Sequence, residues 1–384
     1  MSDLALTTQE RWLSLAAIIG CAFGVGIAIG ALMPLIALTL ESQGYSAALI
    51  GINSAMFPLA VMVAGPFVPA VIARLGTLRS IYGGLLVSAA GIMLFPLFPD
   101  YVAWCAIRFA VGLAGVLFWV TSETWLNLLA VHRSRARLMG IYGMTMAAGF
   151  VVGPLIINAV GIEGWLPYAI IVATTVASLV PVGFAHRLAP PMPERHASGL
   201  LGAIRAAPVV MMAALVAGLV DSALFVMIPV YEIREGFGRD VALLSLALFM
   251  AGNVVLQPPI GWLADHTDRH GVLWATAAVI ALGAVLYPLM LGSGIWLWLM
   301  MFLWGGVSFG VYSIGLSLMG EEFQPAGLAT ANTAFIMIYE TGSFVGPIGA
   351  GAAMDGWPTV GLPLFVLLAA AALLLFAIIR RLKG

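Results

Sequence analysis

Twelve apolar runs, each long enough to cross a bilayer, follow one another along this chain and leave little else for it to fold into. They lie at approximately 12–40, 46–73, 78–98, 101–130, 136–160, 165–187, 205–232, 239–265, 271–291, 295–320, 325–354 and 358–380. A hydrocarbon core of about 30 Å is crossed by roughly 20 helical residues. With no water there to satisfy the backbone, runs of this length must be helices. A membrane barrel would instead show alternating segments of about ten residues, and the sequence has none. Residues are 62% hydrophobic and 9% charged, against about 25% charged in a soluble domain. The expectation is an all-α integral membrane protein with twelve transmembrane helices.

Basic residues orient these helices. Arg11, Arg74, Arg79, Arg133, Arg135, Arg137, Arg187, Arg195, Arg205, Arg269, Arg380, Arg381 and Lys383 fall at ends that share one side, and only Arg234 and Arg239 at the other. Lys and Arg accumulate on the cytoplasmic face, so both termini are expected there, in a bacterial inner membrane. The tenth-to-eleventh loop has Glu321 and Glu322 and no base. A polar, Pro-rich stretch at 188–204 is expected to be a cytoplasmic linker. It joins an N-terminal six-helix bundle, 1–187, to a C-terminal one, 205–384. The halves repeat one another: Gly149-Phe-Val-Val-Gly153-Pro154 matches Gly342-Ser-Phe-Val-Gly346-Pro347 at an offset of 193. Ala70–Gly76 aligns with Trp262–Asp268, and Gly112 with Gly306. Parallel repeats of this kind occur in transporters that bind substrate between their halves.

Against that apolar background, buried charges stand out. Arg108 and Glu123 lie within one run, Trp104–Leu129, about 22 Å apart along a helix and about 60° apart around it. Gly112, Gly115, Trp119 and Ser122 fall on nearly the same stripe, which therefore reads as the wall of a polar cavity. A charge at the bilayer centre costs about 2.5–3.5 kcal/mol on insertion scales and so requires a partner or a watery path. Asp221 and Glu340 are comparably deep in the seventh and eleventh runs. Glu123, Arg108, Asp221 and Glu340 are the candidates for proton coupling, because a carboxyl that changes protonation is what a proton-coupled carrier needs. Trp119, Asn53, Tyr339, Asn253 and Gln257 are the candidate substrate contacts. The glycine pairs allow close helix approach, and Pro154 and Pro347 can bend their helices.

Other chemistry is disfavoured. A net charge of −1 and a single lysine offer nothing for nucleic acid. Gly306-Val-Ser308-Phe-Gly310 has the spelling of a hydrolase elbow but lacks its strand-turn-helix setting. No phosphate loop occurs, and His132, His186, His196, His266 and His270 show no metal-ligand spacing. Cys21 and Cys105 read as small packing residues. Neither an enzyme nor a bound cofactor is expected, and a proton gradient is the expected energy source.

Gly261-Trp-Leu-Ala-Asp265-His-Thr-Asp268-Arg269-His270 resembles the G-x-L-A-D-R-x-G-R-R signature of the major facilitator superfamily, with Asp268 where a Gly is usual. The first-half copy has Pro69 and Ala73 in place of its Gly and Asp, and keeps Arg74, Gly76 and Arg79. Arg108-Phe-Ala-Val-Gly112-Leu-Ala-Gly115 resembles the family's fourth-helix motif, whose Arg is linked to proton coupling. Gly140, Gly149 and Gly153-Pro154 resemble the fifth-helix antiporter motif, with Ile157 and Asn158 replacing its last glycines. Phe118–Asn127, with Glu123, is similar to a small branch typified by YcaD. The resemblance implies two pseudo-symmetric six-helix bundles. It also implies conformational gating by Asp265, Arg269, Arg74, Gly149, Gly153, Pro154, Gly346 and Pro347. The expected function is proton-coupled export of a small amphipathic molecule by a monomer working through alternating access. The partners are that substrate, protons and membrane lipids. A proton-linked importer of a small organic anion held by Arg108, or a lipid flippase, is the alternative.

Overall fold

The computed structural model describes residues 7–129, 135–190, 200–323 and 325–383. All regular elements among the described residues are helical. They run α1 (Thr8–Ser42), α2 (Ala47–Ala64), α3 (Val68–Leu75), α4 (Thr77–Leu94), α5 (Tyr101–Leu129), α6 (Arg135–Val160), α7 (Leu166–Ala177) and α8 (Leu179–Phe184). After these come α9 (Leu200–Ala206), α10 (Pro208–Arg234), α11 (Arg239–His266), α12 (Arg269–Met290), α13 (Ile295–Glu322), α14 (Pro325–Gly356) and α15 (Gly361–Lys383). Among the described residues, eleven segments are long and apolar enough to span a membrane, with Leu166–Phe184 counted as one. The 32-residue α14 takes the place of the remaining expected run. Most of the expected linker 188–204, with Arg133, Arg195, His132 and His196, lies outside the described residues.

Two runs are not single helices, for a stated backbone reason. The run 46–73 breaks after Ala64 and resumes at Val68. The break falls at Gly65-Pro66, where proline removes an N–H and disfavours helical backbone before it. The run 165–187 changes helix at Ser178. Pro181 follows three residues later and cannot donate to the carbonyl of Ala177.

The chain forms two compact units. One comprises Met1–Leu35 with Ala60–Arg195, and the other Ile36–Leu59 with His196–Gly384. In the first, Ile18, Cys21, Phe118, Trp125, Leu126, Tyr142 and Val182 make a continuous core. Polar atoms within it find partners: Trp125 Nε1 donates to Ser14 Oγ at 2.9 Å, and the Ser122 and Tyr142 hydroxyls meet at 2.8 Å. Arg11 donates to the Leu129 carbonyl, one of the last acceptors of α5, where a cation suits the helix dipole. Both cysteines are free thiols.

The repeated glycines serve the same purpose in each unit. A Cβ on Gly149 of α6 would lie 2.6 Å from the Ile27 nitrogen and Phe23 carbonyl of α1. Gly153 meets the α1 backbone at Gly30 in the same way. In the second unit Gly342 and Gly346 of α14 face the α10 backbone at Leu215 and Leu219. Backbones at this separation admit no side chain, so the pattern encodes contact between helices. Gly140, from the same fifth-helix motif, faces open space. Pro154 and Pro347 are buried within α6 and α14, both of which continue past them.

Candidate functional site

The α10–α14 seam places a group of polar residues in the second unit. Asp221, thirteen residues into α10, is 3% exposed, and neither carboxylate oxygen has a hydrogen-bond partner among the described residues. Gly218, one turn earlier, lets α14 approach at Tyr339. The Tyr339 hydroxyl lies near Ser343 and within electrostatic reach of both Asp221 and Glu340. Its ring meets Tyr312 of α13 edge-on at 4.9 Å, and Tyr312 in turn meets Phe335 at 5.2 Å. The fold thus gathers Asp221, Tyr339 and Glu340, which lie on two helices more than a hundred residues apart. An orphaned buried acid is expensive, which makes Asp221 the most unusual polar group of this unit.

In the first unit, Trp119 Nε1 donates to Glu123 Oε1 at 2.9 Å across one turn of α5. Glu123 is half-buried and Trp119 37% exposed, so this pair sits at a face of α5 that is not closed by the unit's own core. Arg108 is 2% exposed, with Nη2 against the Met33 sulfur of α1. Arg108 and Glu123 therefore occupy separate levels of the helix, about 22 Å apart.

The remaining substrate candidates differ in character. Asn53 is fully buried on α2, and Asn253 is half-buried on α11. Gln257 donates to the Gly306 carbonyl at 3.0 Å and accepts from Ser313 Oγ at 2.6 Å. Both ends of its amide are thereby used to join α11 to α13. Ser308 of the hydrolase-like pentad donates to the Trp304 carbonyl at 2.8 Å, inside α13.

At the α11–α12 turn, Arg269 reaches Asp265 at 2.9 Å and Glu321 of α13 at 2.7 Å. Glu321 was legible only as an acid without a base in its loop; the base comes from 52 residues away. Asp268 caps α12, accepting from the Gly271 and His270 nitrogens at 2.8 and 3.2 Å. That accounts for its departure from the signature glycine, since an N-cap carboxylate satisfies orphan donors. The first-half equivalent, Gly76, has φ +81°, a conformation that favours glycine. Arg74 is exposed and makes no ion pair among the described residues. Because Asp265 and Glu321 are more than half exposed, Arg269→Ala is expected to cost under about 1 kcal/mol of stability. Thermal unfolding in detergent checks this.

The opposite end of α10 holds a charge cluster that sequence reading missed. Arg234 pairs with Glu41 at 2.8 Å and Asp355 at 3.1 Å, and donates to the Tyr45 carbonyl at 3.2 Å. Asp355 also accepts from the Ala47 and Ala48 nitrogens, both at 2.9 Å. These are the first N–H groups of α2, so a residue beyond the end of the eleventh run caps a helix 308 positions away. Arg234, an exception to the one-sided distribution of bases, thus has local acids to answer it. Burial pushes the Asp355 carboxyl up, but the Ala48 and Ala47 amides and then Arg234 outweigh it and hold it below its usual range. A lowered folded value means that this contribution is complete above the unfolded aspartate range, about 3.9, and is lost as pH falls through the folded value. The thermal midpoint of wild type is expected to exceed that of Asp355→Asn at neutral pH, with the gap closing below about pH 4.

The family model of the Major Facilitator Superfamily matches residues 18–347. YfkF of Bacillus subtilis (strain 168), described as an uncharacterised MFS-type transporter, is 25% identical over 377 residues, covering 94% of this chain and 93% of its own. YcaD of Escherichia coli, with the same description, is 27% identical over 326 residues and 84% of each chain. Among solved structures, a bacterial homologue of the human lysosomal transporter Spinster superposes with a TM-score of 0.76 at 13% identity, covering 97% of this chain and 96% of that one. The nucleoside transporter NupG superposes with a TM-score of 0.76 at 12% identity, covering 96% and 98%.

Proposed function

The chain belongs to the major facilitator superfamily of transporters, and from that premise we propose that it exports a small amphipathic molecule in exchange for protons. The observation that carries this reading is Asp221, buried in α10 with both oxygens unpartnered among the described residues. An acid held in apolar surroundings without a fixed cation is suited to take up and release a proton, because protonation removes the charge that its surroundings oppose. In this reading Tyr339 and Glu340 line the same path, and Glu123, held by Trp119, is the corresponding acid of the first unit. Arg108 keeps its charge at all working pH values and tunes the field on α5. Substrate binding and protonation compete, so each drives release of the other as the carrier alternates its access. The apolar and aromatic residues near Tyr339, namely Tyr312 and Phe335, suit an amphipathic substrate.

The test is reconstitution in liposomes with a trapped pH dye, screening candidate substrates on wild type, Glu123→Gln and Asp221→Asn. Substrate-driven proton movement opposite in direction to the substrate is expected, with loss in at least one variant. Movement in the same direction would replace export with proton-linked import, and substrate flux without proton flux would remove coupling altogether.

A further inference from the structure

The second unit contains another buried acid, Glu232, near the far end of α10. It is fully buried and belongs to none of the ion pairs among the described residues. Its Oε1 accepts from the Tyr287 hydroxyl of α12 at 2.9 Å. Its Oε2 has no hydrogen-bond partner among the described residues. Ser245 of α11 adjoins the same carboxyl, and its Oγ is buried without a partner among the described residues. A fully buried carboxylate oxygen with neither a cation nor a donor is costly, and a proton on it removes the charge.

We propose that Glu232 is a second proton-binding site, neutral when its Oε2 carries a proton while Oε1 accepts from Tyr287. The surroundings are otherwise closed. Tyr231, on the same helix, stacks obliquely on Tyr287 at 5.2 Å and spends its own hydroxyl on the Thr359 carbonyl at 2.6 Å. The charged groups nearby are Glu235, just past the end of α10, and Arg234, whose guanidinium is committed to Glu41 and Asp355. Placement adds a functional sense. Asp221 and Glu232 are eleven residues apart, hence about 16 Å along α10 and within about 20° of one stripe. Under the expected orientation Glu232 lies toward the outer face and Asp221 deeper, so the two mark successive stations for a proton on one helix. That sequence of stations rests on the proton-coupled reading above; proton binding at Glu232 itself does not.

Infrared difference spectra of the purified full chain, recorded between alkaline and acidic pH, test the site. Protonated-carboxyl carbonyl bands are expected to grow as pH falls, with one component lost in Glu232→Gln and that same component kept in Asp221→Asn. Wild-type and Glu232→Gln spectra that superpose across the range would overturn the assignment. Should the Gln variant fail to fold, Tyr287→Phe serves instead. Loss of its hydroxyl is expected to move that component to higher frequency, and an unmoved component overturns the assignment. The readout involves no substrate, so its failure and the failure of proton-coupled export are told apart.

Discussion

Asp221→Asn is expected to keep its wild-type unfolding temperature while losing substrate-driven proton flux by roughly tenfold or more. The two halves of this expectation come from the same geometry. Among the described residues neither oxygen of Asp221 holds a helix, a cap or a cation, so a neutral side chain of the same shape removes no fixed interaction. The amide replaces one unpartnered polar group by another, so two penalties of about 1–3 kcal/mol each largely offset. What the amide cannot do is bind and release a proton. The measurement pairs thermal unfolding in detergent with dye-reported flux in liposomes. A variant that unfolds far below wild type would make Asp221 a structural residue, and a stable variant with full flux would move the proton elsewhere.

Gly149→Leu is expected to abolish recovery of a folded chain, whereas Gly140→Leu leaves it intact. Both glycines belong to the fifth-helix motif, but only one is pressed against a neighbour. The first atom of a side chain on Gly149 would already sit 2.6 Å from two α1 backbone atoms. Overpacking a core costs about 1–3 kcal/mol where side chains can shift. Here the obstacle is backbone, and leucine adds three further carbons. Against a total stability of about 5–15 kcal/mol, separation of α1 from α6 is not survivable. Size-exclusion profiles of the two variants decide it. An ordinary monodisperse peak for Gly149→Leu would show that the seam opens at little cost.

Helix number and repeat were legible in the sequence because lipid leaves so few options. An apolar run longer than the bilayer can only be a helix, and the offset of 193 announces the second copy. The glycine seams could be read from spacing, although spacing alone did not separate Gly149 from Gly140. Side-chain partnerships were not legible. Glu321 looked like an acid in a loop without a base, because Arg269 lies 52 residues earlier. Asp355 gave no sign of capping α2, since such caps are recognised from adjacent residues and this one comes from 308 positions away. Glu232 was hidden by its place at the end of an apolar run next to Arg234, where an acid looks solvated, and the structure shows it fully buried. Asp268 was the opposite case: its position before α12 satisfies the ordinary rule for an N-cap, but it stood out as a departure from the signature.

Arg234 and Glu41 are 193 positions apart, which is the spacing of the repeat itself. A chain that arose by doubling would have begun with the same amino acid at both places. Two glutamates or two arginines that close repel, so the pair attracts only because the two halves differ in sign here. It marks a point where the halves are not interchangeable. A chain rebuilt from two first-half copies would inherit the glycine seam but would set acid against acid here.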